Sequence, residues 1–424
     1  MAEPALPKKA SLGVIFSVVF IDLLGFGILI PQLGVYAVEF KASAIEVGLI
    51  ASIYSLMQLI CAPFWGRLSD RVGRRPVLLV TIAGGIVAYL LFGFTHQLWM
   101  LALSRVVAGI AGANISTAQA YVSDVTSPEN RARAMGLIGA AFGIGFVLGP
   151  AVGGFLGKAG GNLYIGLFCA GLSALNLVSA LLRLPESLDK SHPHHRDRKA
   201  ALSLFERMRL PGVGILFALT LLVTTAFAQV EGTFSMYLLV RFLSPDAHVE
   251  LSLFDLSAKV PQKVLEGASL QVGWLFSVIG VVGAIIQGGL IGRLKQKLGE
   301  PNLIRIGLVC WGLGVATLPL MPTYGWMFVP TVVMALGSAL TNPSLSSLVS
   351  LRAPPGRSGE ILGTFQSFSA MGRILGPSLG GFWFATFSSG TPFYVGGALL
   401  LLAAMIAMMI ATASPPSNAV IEPH

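Results

Sequence analysis

Long apolar runs alternate with short polar clusters along nearly the whole of this chain. A bilayer-spanning helix takes about 20 mostly apolar residues, and the pattern predicts twelve of them. Helix 1 is expected from Leu12 to Tyr36, helix 2 from Ile45 to Trp65, helix 3 from Pro76 to Thr95 and helix 4 from Leu98 to Val122. Helix 5 is expected from Ala134 to Leu156 and helix 6 from Leu163 to Leu184, with helices 7 to 12 beginning near Val213, Leu270, Leu303, Trp326, Ile361 and Pro392. The fold class is therefore an all-α membrane protein in two six-helix halves, residues 1–184 and 211–424, joined by a polar linker over 185–210. The apolar run behind the basic MAEPALPKK is too long for a signal-peptide core and reads as a retained first helix.

Charge sharpens the picture. The net charge is +9, and basic chains bind nucleic acid through phosphates. With the first residues placed inside, however, 21 Lys and Arg fall in cytoplasmic segments, 5 in outer segments and 2 within helices. That is the positive-inside bias of a multi-pass membrane protein with both termini in the cytoplasm, and it excludes a nucleic-acid partner. The 50 glycines fit close helix packing in lipid. Cys61, Cys169 and Cys310 all lie in apolar runs and have no paired spacing, so neither a disulfide framework nor a zinc site is expected. His192, His194 and His195 sit in the linker without a scaffold to fix metal geometry. No GxxxxGK[ST] loop and no nucleophile–base constellation is present, so neither an ATP-driven pump nor an enzyme is indicated.

The halves are related. GRLSDRVGRR from Gly66 recurs in degenerate form as GRLKQKLGE from Gly292, 226 positions later. GPAVGG from Gly149 returns as GPSLGG from Gly376 at a shift of 227, and Gly136 meets Gly363 at that same shift. Repeats related by an axis along the membrane normal build midplane binding sites in transporters.

GRLSDRVGRRP, from Gly66 to Pro76, resembles the loop between helices 2 and 3 that marks the major facilitator superfamily. The resemblance implies a gating set of Gly66, Asp70, Arg71, Gly73, Arg74 and Arg131, with Asp70 engaging Arg131 or the start of helix 11 in one state. On helix 5, Gly136, Gly145, Gly149, Pro150, Gly153 and Gly154 are similar to the glycine pattern of that superfamily's drug/proton antiporters. Gly145, Gly149 and Gly153 recur every four residues and make a smooth stripe for close packing, while Pro150 bends the helix. FIDLLGFGILIPQL from Phe20, YSLMQLICAPFWG from Tyr54 and LALSRVVAGIAGANISTAQAYVSDVT from Leu101 resemble tetracycline/proton antiporters. Where those exporters carry an aspartate in helix 3, this chain has Ala88 ahead of Tyr89, which departs from a tetracycline site.

Ionisable residues inside the membrane are costly and turn toward function. Asp22 lies about 15 Å from the inner edge of helix 1 and Arg105 about 20 Å from the inner edge of helix 4, so the two are expected to approach each other. Glu231 on helix 7 and Arg373 on helix 11 give a second acid and base, at depths that match less well. All four are candidate proton-coupling groups. Gln32, Tyr54, Gln58, Asn114, Gln119, Gln229, Asn342 and Gln366 are candidate substrate contacts among apolar walls. The expected function is proton-driven export of small amphipathic or drug-like molecules by a monomer needing no cofactor beyond the proton gradient. The alternatives are a symporter or uniporter of a lipid or metabolite, or a receptor on the same fold. The stretch from Leu243 to Ser269 reads as a tolerated outer-loop insertion.

Overall fold

A computed structural model describes residues 12–126, 128–188, 203–243, 262–354 and 358–410, and among them there is no strand. The first spans are α1 (Leu12–Glu39), α2 (Ala44–Val72) and α3 (Arg74–Gly93). α4 comprises Leu98–Gly112 and Ile115–Val125, broken at Ala113 and Asn114. Helical chain then runs over Pro128–Arg183, but Gly160 and Gly161 leave the helical region, Gly161 with φ of +64°, and the chain turns back there. This gives α5 (128–159) and α6 (162–183).

Ser203 caps a short surface helix, Leu204–Arg209, within the expected linker. α7 (Val213–Leu238) closes on a π-helical turn, Leu239–Leu243. Gln262–Ile285, a π turn and Ile291–Thr317 follow without a gap until Gly299 breaks the helix at φ of +72°, defining α8 (262–298) and α9 (300–317). α10 (Phe328–Arg352), α11 (Ser358–Thr386) and α12 (Thr391–Ala407) complete the bundle. These twelve spans match the predicted number, although α8 starts eight residues earlier than Leu270 and shortens the expected outer loop. Residues 244–261 of that loop, and the three linker histidines, lie outside the described residues.

Exposed aromatic side chains at one end of the bundle, Phe94, Trp99, Trp326 and Phe387, sit where a membrane interface favours amphipathic rings. The opposite end carries the basic loop between α2 and α3.

The internal repeat becomes a symmetric pair of helix crossings. Within the first half, Gly145, Gly149 and Gly153 of α5 lie against the backbone of α1 at Leu23, Gly27 and Ile28. In the second, Gly376 and Gly380 of α11 lie in the same way against α7 at Thr225 and Gln229. The final glycine of each repeat crosses to the other half: Gly154 meets Ser269 and Gly273 of α8, and Gly381 meets Ala44 and Ile45 of α2. The two prolines occupy matching places too, since Gly273 packs on the carbonyl of Pro150 and Gly48 on that of Pro377. A side chain at any of these glycines would hold the backbones apart, which is why small residues recur at lipid-embedded crossings.

Polar contacts reinforce this closure. Ser52 of α2 donates to the Ile374 carbonyl at 2.7 Å and lies 2.9 Å from the Ser378 hydroxyl, and Gln32 of α1 donates to the Ser269 carbonyl at 3.2 Å. These three contacts between the halves lie on the side away from the basic loop. A valine at Gly273 or Gly48 is expected to wedge this closure open. Labelling of a cysteine at the buried Ser55 position, by an impermeant thiol reagent added from the aromatic-rimmed side, should rise several-fold in either variant; an unchanged rate would show that the crossings do not seal that side.

Candidate functional site

The break in α4 sets the polar centre of the first half. Stopping the helix at Gly112 frees backbone carbonyls, which hydrocarbon cannot solvate. α2 supplies the donors: Gln58 Nε2 to the Gly112 carbonyl at 2.8 Å, and Trp65 Nε1 to that of Ile110 at 2.8 Å. The same break turns the buried Asn114 toward α1, where its amide donates to the Asp22 carboxylate at 2.8 Å and to Thr81 Oγ1 of α3 at 3.2 Å.

Asp22 and Arg105 do not pair. The ion pairs at Arg74 involve Asp70 and Asp124, and Arg105 lies elsewhere. Its guanidinium is buried, donates through Nε to Ser104 Oγ at 3.3 Å, and sits 5.6 Å from the centroid of the Phe92 ring. One terminal nitrogen has no partner. The expected pairing fails on depth: Asp22 is level with Asn114, nine residues along α4 from Arg105, or about 13 Å at helical rise. α1 spans 28 residues, more than the hydrocarbon core needs, so counting from its end misplaced Asp22.

Glu231 and Arg373 do converge, at the seam between the halves. Both line a small cavity of about 30 Å³ together with Phe26 of α1, Tyr54 of α2 and Pro377 of α11. The Phe26 and Tyr54 rings lie 4.9 Å apart. Arg373 donates to Ser369 Oγ at 2.9 Å, while Glu231 Oε1 is buried without a hydrogen-bond partner. Acid and base share one chamber without closing into an ion pair.

The other expected cargo contacts divide. Gln32, Gln58, Asn114 and Gln229 spend amide groups on the structure, the last donating to the Pro392 carbonyl at 3.1 Å. Asn342 and Gln366 are exposed, and Gln119 is half-buried. Of the eight, Tyr54 lines the inter-half cavity.

At the basic end, Arg74 joins Asp70 at 2.5 Å and Asp124 of α4 at 3.1 Å. Asp70 is mostly exposed, and Arg71 is exposed. The side chains of Arg131 and Gly136 and the first residues of α11 lie outside the described side chains, so the expected Asp70 partners are not described. Asp124 and Glu186 were not foreseen as part of this site. The Glu186 carboxylate accepts backbone N–H groups of Arg74, Arg75, Ser187 and Leu188 at 2.8 to 3.2 Å. It thereby caps α3, whose amino end favours negative charge. Glu186 lies 112 residues from Arg74, so no local pattern signals it.

Gly73 makes this possible. Its φ of +118° suits glycine, and a Cβ there would strike the Glu186 carboxylate. Gly73→Ala is expected to cost about 1 kcal/mol or more and to lower the thermal midpoint of the purified protein; Glu186→Ala in the same background should then add little further loss. Fully additive losses would show that the two residues act separately.

Comparison with known proteins agrees with this architecture. The profile of the Major Facilitator Superfamily matches residues 15–257 and 256–424. The class C tetracycline resistance protein of Escherichia coli is 30% identical, over 92% of this chain and 94% of its own length. Multidrug resistance protein 1 of Bacillus subtilis (strain 168) is 28% identical, over 96% of this chain and 97% of its own. Among solved structures, the human organic anion transporter MFSD10 (TETRAN) superposes with a TM-score of 0.66 at 25% identity, covering 95% of this chain and 99% of that one. The nucleoside transporter NupG gives 0.67 at 16% identity, over 94% and 98%, a likeness of fold.

Proposed function

This chain belongs to the Major Facilitator Superfamily, a multi-pass membrane protein for small molecules, and from that premise we propose that it exports amphipathic, drug-like compounds in exchange for protons. The observation that carries the reading is the pair of intramembrane carboxyl groups without a cationic partner: Asp22 held by Asn114, and Glu231 open to a chamber walled by both halves. Lipid-embedded acids of this kind default to proton or substrate handling. The tetracycline and multidrug resistance relatives support the direction and the cargo class.

In this mechanism the halves, residues 1–184 and 211–424, rock about the glycine crossings. The described state is closed on the aromatic-rimmed side, and the basic side is the cytoplasmic one, with both termini there and the protein in the cell membrane. Cargo enters from the cytoplasm and rests against Phe26 and Tyr54 between the halves. Loaded with cargo, the halves close on the basic side and open on the other. There a proton arriving at Asp22 or Glu231 makes the carboxyl neutral, weakens its hold on cargo and favours return to the described state, from which the proton leaves to the cytoplasm. The Arg74 network stays within the first half in the described state, on Asp70 and Asp124. Arg373 keeps the field positive beside Glu231, while Arg105 adds positive charge further along α4. The working unit is a monomer, and it carries out no bond chemistry.

The proton gradient is sufficient. One elementary charge moving through ~150 mV is worth about 3.5 kcal/mol, enough for a few-hundredfold cargo gradient.

Reconstituted protein with an imposed pH gradient is expected to drive uphill movement of a fluorescent amphipath and a matching proton flux. Asp22→Asn and Glu231→Gln should each cut uphill movement at least tenfold, while downhill exchange persists. Asn114→Ala is expected to give a similar loss by removing the hydrogen bond to Asp22. Uphill movement unchanged in the Asp22→Asn, Glu231→Gln double variant would refute proton coupling through these acids.

A further inference from the structure

At the basic end of the first half, away from the inter-half chamber, α3 and α6 leave an open groove of about 500 Å³ lined by Arg75, Leu181, Leu182, Arg183 and Glu186. Its charge is effectively basic. Two arginines stand against one carboxylate, and the Glu186 oxygens accept four backbone N–H groups rather than pairing with either guanidinium. Arg75 uses one terminal nitrogen on the Leu181 carbonyl at 2.8 Å, and its buried Nε has no partner. The Arg183 side chain is exposed and makes no hydrogen bond among the described residues.

Below the groove, toward the membrane centre, Leu175, Val178 and Leu182 form an exposed stripe on α6 at 69%, 52% and 78% exposure. Their spacing places them on one face of the helix. On α3, Val80 and Val87 are likewise exposed. Two cationic forks therefore stand at the head of an apolar track that runs along the spans.

We propose that this groove binds an anionic phospholipid of the basic-side leaflet, its phosphate held by Arg75 and Arg183 and an acyl chain laid on the Leu175–Val178–Leu182 stripe. The chemistry favours that occupant over others. Guanidinium groups match phosphate oxygens with paired donors, basic pockets beside spans select acidic headgroups, and the apolar stripe supplies what a free anion would not use. Because the same lipid would bear on Arg75, whose backbone N–H is held by Glu186, its occupancy stiffens the α2–α3 junction at Gly73, which Asp70 and Arg74 flank.

Native mass spectrometry of the delipidated full-length protein tests this, titrating phosphatidylglycerol and phosphatidylcholine of identical acyl chains. The expected result is a preference for phosphatidylglycerol of about thirtyfold, at roughly 1 kcal/mol for each of the two arginines. It should be lost in the Arg75→Gln, Arg183→Gln double variant. Arg183→Gln alone, an exposed change that leaves the fold intact, should at least halve it. Equal retention of the two lipids, an unchanged preference in both variants, or displacement of the lipid by millimolar inorganic phosphate would each overturn the proposal.

Discussion

Hydrocarbon offers polar groups no partner, so each carbonyl, amide and charge in this bundle must be satisfied by protein or left at a cost of several kcal/mol. The helix breaks obey this constraint. Where α4 stops at Gly112, Gln58 and Trp65 donate to the released carbonyls, and the reoriented Asn114 serves Asp22 and Thr81 together. Glu231 Oε1 and one terminal nitrogen of Arg105 are ionisable-group atoms buried without a partner, alongside neutral ones such as Thr117 Oγ1 and Ser173 Oγ.

The second organising feature is backbone contact without side chains. Hydrophobic burial does not draw helices together in lipid, so close van der Waals approach and hydrogen bonds must hold the halves. The paired crossings at Gly154 with Gly273 and at Gly48 with Pro377 give both. They are narrow and symmetric, and they lie on one side of the membrane, which leaves the opposite side able to part. A hinge built this way moves as two rigid bodies, because packed cores resist gradual deformation.

Much of this was legible in the sequence. The apolar runs fixed twelve spans, and the GPAVGG and GPSLGG repeats identified residues that do occupy equivalent crossings. The pattern did not reveal that Gly145, Gly149 and Gly153 serve the inside of one half while Gly154 serves the other half, since one helix face holds no record of its neighbour. Asp22 was expected beside Arg105 and instead accepts from Asn114: the break at Ala113 and Asn114 has no proline to signal it, and uniform helical rise hides a side chain that turns. Arg373 and Glu231 looked mismatched in depth, yet they share a chamber, because helices of unequal length do not start at a common plane. Glu186 was invisible for a different reason, its bonds reaching across more than a hundred residues of chain.

The central claim is that protonation of Asp22 and Glu231 moves two rigid halves about the glycine crossings. Spin-label distances between the exposed positions Val72 and Leu298, at the basic ends of the two halves, measure that movement directly. The account predicts a distance distribution that shifts between open and closed populations as pH is lowered in the wild-type background, and that stays fixed when both acids are replaced by their amides. A pH-dependent shift of the same size in the amide variant would contradict it.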